Sequence, residues 1–171
     1  MDEDISIINS NTRNEKVRNF FIKNKVKIIS ILLTTVIVLI GAYSFDKYKN
    51  NQKIEISDKF NSTTLTYSEN TKDNTVKNLV EIINRKDPTY SPLSLYFIID
   101  NKLISDQREL NSYFDILIKN TSLDEEIKNL VIYKKALFNA DEAEEGVLLN
   151  ILNPLINSKS VWTSHALYLM A

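Results

Sequence analysis

The chain has no cysteine, two glycines and three prolines in 171 residues. Without a thiol there is no disulfide framework, no thiolate metal site and no cysteine nucleophile, and the redox compartment is left open. With Gly41 and Gly146 as the sole glycines there is no glycine-rich phosphate loop. So few turn-forming residues disfavour a β-rich fold and suit long helices. His165 is the one histidine, and no carboxylate lies three or four residues from it, so no metal site is expected there. No nucleophile-elbow pattern accompanies the serines. The sequence therefore predicts no enzyme, no cofactor and no metal.

One feature is abundant. From Ile28 to Phe45 run eighteen residues without a charge, Leu33, Val38 and Gly41 among them. As a helix this run rises roughly 27 Å, close to the ~30 Å hydrocarbon core of a bilayer. Ser30, Thr34 and Thr35 can bond back to helix carbonyls, so they do not forbid insertion. Tyr43 and Phe45 sit where an interfacial aromatic belt would lie. The sequence predicts one transmembrane helix over 28–45.

The flanks give it a direction. Arg13, Lys16, Arg18, Lys23, Lys25 and Lys27 precede the run, opposed nearby by Glu15 alone. After it, Lys47, Lys49, Lys53 and Lys59 are largely balanced by Asp46, Glu55 and Asp58. The positive flank stays in the cytoplasm. Residues 1–27 are thus expected in the cytoplasm, and 46–171 on the far side of the inner membrane, in the periplasm. A cleaved signal peptide is the rival reading, since Ala42-Tyr43-Ser44 loosely fits a small-x-small cleavage site. Against it, 27 residues precede the apolar core and include Asp2, Glu3, Asp4 and Glu15, whereas signal peptides begin with a short basic stretch. Retention as an anchor is the expectation.

Beyond the span the chain carries 15 basic and 18 acidic residues, a net of −3 and a poor footprint for nucleic acid. Residues 46–69 are polar with thinly spread apolar positions and read as a linker helix continuing from the span. Then helical stripes recur. Val76, Leu79, Val80 and Ile83 fall at i, i+3, i+4 and i+7, as do Leu110, Tyr113, Phe114 and Leu117. Leu148, Ile151, Leu152 and Leu155 repeat the pattern. Each predicts an amphipathic helix with one buried face. Between and after them lie the more apolar stretches 93–99, 127–138 and 162–170. Ser122 with Glu125 and Asp141 with Glu144 have capping-box spacing, and Ser105 and Ser160 are candidate N-caps. The acidic groups at 124–126 and 141–145 fall at these helix starts, where carboxylates stabilise the helix dipole.

The stripes are periodic. Ile83, Ile118 and Ile156 recur after 35 and 38 residues, and the pairs Leu95-Tyr96, Ile132-Tyr133 and Leu167-Tyr168 after 37 and 35. Helix pairs at such a period mark tetratricopeptide-type arrays. The expected fold class is all-α: a transmembrane helix, then a short array of helical hairpins over 70–171, a TPR-like α-solenoid.

Two motifs carry a resemblance. The first is Asp124-x2-Ile127-Lys128-x-Leu130-x2-Tyr133-Lys134-x-Ala136-Leu137. The second is Pro154-Leu155-x6-Trp162-x3-Ala166-x2-Leu169. Together they resemble a bacterial family of membrane-anchored tetratricopeptide repeat-like proteins, that of the ancillary subunit of the Sec translocon. The residue-level likeness covers about 124–171, and the layout of basic segment, span and helical domain covers nearly the whole chain. The resemblance implies a periplasmic protein–protein interaction domain with no chemistry of its own. Its implied partners are the Sec translocon or periplasmic chaperones, with the bilayer holding the anchor. The motif residues are then structural. Relatives continue beyond the position of Ala171, so the helical domain is expected to be truncated at its C-terminus. A short array also makes a homo-oligomer an open expectation. The alternative is a cell-envelope or division assembly scaffold using the same domain.

Overall fold

The computed structural model describes residues 2–171, with side chains from Asn14 onward. The described residues form seven α-helices and no strand: α1 Asp2–Leu65, α2 Lys72–Asn84, α3 Tyr90–Asp100, α4 Gln107–Asn120, α5 Glu125–Asn139, α6 Glu145–Ile156 and α7 Thr163–Leu169. A 3-10 turn, Glu69–Thr71, leads into α2. The all-α expectation holds. The chain divides into two compact units, one ending at Asn51 and the other Gln52–Ala171.

In the first unit the apolar run stands uncovered. Leu33, Val38 and Phe45 are 54%, 62% and 59% exposed, Ile28 is half-buried, and nothing comes within 4 Å of a side chain built at Gly41. Each large apolar side chain left in water forgoes about 1.5–3 kcal/mol of burial. The hydroxyls of Thr34 and Thr35 donate to the carbonyls of Ser30 and Ile31 at 2.9 Å, which removes their polar cost. By length and composition α1 is, among the described residues, the one helix able to cross a membrane, a test that a signal sequence also passes.

In the second unit the final turns of α1 belong to the folded core. Ile56 and Thr63 are 5% exposed, and Phe60 packs on Tyr90 at 5.6 Å. The Tyr90 hydroxyl donates to Ser57 Oγ at 2.7 Å. Glu81 pairs with both Lys59 and Arg85, and Arg85 reaches Glu55 at 2.8 Å. Helices adjacent in sequence then pack on one another from α2 to α7, with α2 also touching α4, and α5 touching α7.

The pairs repeat in length. First helices begin at Lys72, Gln107 and Glu145, and second helices at Tyr90, Glu125 and Thr163, so both series step by 35 and then 38 residues. At those steps Leu79, Phe114 and Leu152 coincide, as do Ile82, Leu117 and Leu155, and all six are at most 1% exposed. Ile83, Ile118 and Ile156 keep the same register. The Leu-Tyr pairs do not, because their spacing of 37 and 35 puts Tyr96, Tyr133 and Tyr168 on unlike faces. Tyr168 is 85% exposed.

Two helices end without glycine. Lys86 and Lys102 adopt φ of 57° and 50° just past α2 and α3. Lys102 N–H bonds Ile99 O at 3.0 Å and Leu103 N–H bonds Ile98 O at 2.9 Å, a Schellman closure that drives Leu103 into the core. After α2 the corresponding long bond is replaced by a side chain, with buried Ser91 donating its hydroxyl to Ile82 O at 2.8 Å. The helix starts also differ from expectation. Asp106, not Ser105, caps α4, accepting from Arg108 N at 2.9 Å. Helices α5 and α6 start at Asp124 and Glu144 and not on capping boxes at Ser122 and Asp141. Ser160 lies two residues before the α7 cap Trp162 and accepts its N–H at 3.1 Å.

Candidate protein-binding groove

Helices α3 and α5 line a concavity in the second unit. Leu93 and Tyr96 of α3 and Ile127 and Leu130 of α5 border a groove of about 540 Å³, with Pro88, Pro92, Lys53 and Asp124 also in its lining. Leu93 and Ile127 are 41% and 40% exposed, high for apolar side chains on packed helices. Pro92 falls in the first turn of α3, where the N–H it lacks would have no partner within the helix. Asp87 completes that start, its carboxylate accepting from Thr89 N at 2.9 Å and Tyr90 N at 2.7 Å.

Tyr96 is shared between this groove and a neighbouring hollow that Lys134 also lines. The Lys134 ammonium sits 4.5 Å from the Tyr96 ring centroid, a cation–π contact. That hollow, of about 240 Å³, opens among Ile99, Phe114, Leu137 and Phe138. The Tyr96 hydroxyl is buried without a hydrogen-bond partner, and burial holds its proton well above the ordinary tyrosine range. That hydroxyl stays a donor at any physiological pH. Ser94 Oγ and Asn129 Nδ2 are also buried and unpartnered, at equivalent positions of α3 and α5.

The motif residues divide between two places. Tyr133, Ala136, Leu155, Trp162, Ala166 and Leu169 converge with Ile132 and Leu152 in one apolar cluster joining α5, α6 and α7. Tyr133 stacks on Trp162 at 5.8 Å and 22°, and His165 packs against both rings. Ile127 and Leu130 instead line the groove. Pro154 is exposed beside Ile118, Ile132 and Lys135 on a separate depression of about 360 Å³.

Polar links across α4 and α5 were not visible in the sequence. Asn111 and Asn139 exchange amide bonds at 2.9 Å in both directions, and Asp115 accepts from Lys135 at 2.7 Å and from Lys119 at 3.1 Å. Burial pushes the Asp115 carboxyl up, but the two lysines outweigh it and hold it below the usual range. Such pairs join residues 20 and 28 positions apart, beyond any single-helix pattern. The Tyr96–Lys134 contact escapes for the same reason.

The acidic group at 124–126 lies at the start of α5, whereas of the group at 141–145 only Glu144 and Glu145 are at the start of α6, Asp141 and Glu142 lying in the turn that follows α5. Glu125 and Glu126 occupy the first turn of α5, and Glu126 accepts the Ser160 hydroxyl at 2.7 Å. Among the described residues no three His, Asp or Glu side chains are placed to hold a metal ion. Comparison with family models, curated proteins and solved structures returns no match.

Proposed function

We propose that the protein is a membrane-anchored interaction module. α1 crosses the inner membrane through 28–45 with its N-terminus in the cytoplasm, and the helical unit faces the periplasm. The observation that carries this reading is the uncovered apolar run of α1 in a chain whose other unit packs around its own core. An all-apolar helix surface needs an apolar medium, whereas the second unit has a buried core of its own.

The identical steps of first and second helices support a tetratricopeptide-like array, in which successive pairs bury a continuous core and leave a surface for partners. The α3–α5 groove is that surface. The side chains of Leu93, Ile127 and Leu130 there fit an apolar side chain of a protein partner. The resemblance over about 124–171 supports a partner at the Sec translocon or among periplasmic chaperones.

A photo-crosslinking residue at Leu93 or Ile127, activated in intact membranes, tests the assignment. Adducts with translocon components support it. Adducts with division or wall-synthesis proteins alone would replace it with the envelope-scaffold reading. Topology is tested separately: a reporter active only in the periplasm should work after Ala171 and fail at Asn24.

A further inference from the structure

The segment before the span is patterned beyond what orientation requires. At about 100° per residue, Val17, Phe20, Phe21 and Ile28 share one face of α1. Lys16, Lys23 and Lys27 line one border of that face, seven and four residues apart, and Arg18 and Lys25 line the other, seven apart. Val17, Phe20 and Phe21 are 51%, 59% and 55% exposed. Asn24 interrupts the apolar face, and one N–H of its amide donates to Phe20 O at 3.0 Å. No ion pair engages any of the five cations among the described residues.

We propose that residues 16–27 form a binding collar for anionic phospholipid headgroups, with Lys23, Lys25 and Lys27 as the inner contacts. The inference rests on the membrane reading of α1. If Ile28 marks the hydrocarbon boundary, these three lysines lie within about 8 Å of it along the axis, inside the headgroup layer. Lys23 and Lys27 are on one side of the helix and Lys25 on the other, so phosphates are met around its circumference. Lysine stems lie along apolar surface while their ammonium groups reach outward to phosphate. Lys16 and Arg18, farther out, add attraction across roughly a Debye length.

The apolar stripe selects lipid over other polyanions. A nucleic acid would neutralise the cations and leave Val17, Phe20 and Phe21 in water, whereas a bilayer offers phosphate and acyl chain side by side. Orientation alone needs an excess of positive charge, not two rows of cations with apolar side chains between them, Val17, Phe20 and Phe21 on one side and Ile22 and Val26 on the other.

The absence of cysteine makes the test direct. The full chain carrying Asn24→Cys with a bimane label is reconstituted into phosphatidylcholine vesicles. These contain phosphatidylglycerol or phosphatidylcholine bearing a nitroxide at the same acyl position. The anionic phosphatidylglycerol is expected to quench with about five-fold higher effectiveness at low salt. That preference should fall towards unity at 1 M salt, where the screening length shrinks to about 3 Å. It should also vanish when Lys16, Arg18, Lys23, Lys25 and Lys27 are all replaced by Gln. Equal quenching by the two lipids, or a preference surviving the five replacements, overturns the collar and leaves the anchor standing. Quenching by neither lipid overturns the membrane reading itself.

Discussion

The first and last helix pairs use the same register and bury it unequally. In α3, Leu95 and Ile98 are fully buried; in α7 that is true of Ala166 alone, while Leu167 is 51% and Tyr168 85% exposed. The first helices match, with Leu79 and Ile82 in α2 and Leu152 and Leu155 in α6 all at 0%. The difference lies in what stacks on the second helix. α3 is covered by α2, α4 and the end of α1, whereas α7 meets α5 and α6. A repeat's core is thus a property of its neighbours as much as of its own residues.

The sharpest way to break this comparison is to hollow both cores at equivalent positions. Leu79→Ala should cost about 3–5 kcal/mol and Leu152→Ala about 2–3 kcal/mol, measured by urea unfolding in mild detergent. Trp162, the single tryptophan, sits in the smaller cluster. In Leu152→Ala its fluorescence should therefore change at lower urea than far-UV circular dichroism does. Coincident transitions would mean that the two clusters unfold as one.

Next in size is Ser91→Ala, which removes one of two donors to the Ile82 carbonyl and leaves the Arg85 N–H at 3.1 Å. About 1 kcal/mol should be lost. A neutral result would show that the Lys86 turn closes α2 unaided. Lys102→Gly should act in the opposite sense, stabilising by about 1 kcal/mol because glycine adopts a positive φ without steric cost. A lower thermal midpoint in that variant would contradict the left-handed turn.

The smallest effect concerns Asp115, whose carboxyl is held below its ordinary value of 3.8. A depressed folded-state value adds stability above the unfolded value, lost as pH falls through the folded one. Because the side chain is 41% exposed, the gain at neutral pH should stay under about 1 kcal/mol. The stability gap between wild type and Asp115→Asn should close towards pH 2. A gap that persists there would assign the effect to packing.

What could be read from the chain follows from the range of each signal. The stripe Leu110, Tyr113, Phe114 and Leu117 is the buried set of α4, because one helix face suffices to define it. In α2 the stripe misses Thr75 and Ile82, which are buried by helices the pattern does not contain. Helix starts drifted by up to three residues where Ser, Asp and Glu crowd together and several could cap. The groove and the hollow beside it escaped altogether, since Tyr96 and Lys134 meet only after two helices have packed. Without glycine to mark them, the ends of α2 and α3 also carried no punctuation.

The paired helices hold a measure of their own. From the start of each first helix to the start of its second is 18 residues in all three pairs, Lys72 to Tyr90, Gln107 to Glu125 and Glu145 to Thr163. The extra three residues of the later step fall wholly between the starts of α5 and α6. The chain is therefore ruled in pairs, and the seams between pairs are where length is free to change. A whole pair could be duplicated, removed or exchanged at such a seam with its internal register intact, whereas an insertion between α4 and α5 would break the measure that all three pairs share.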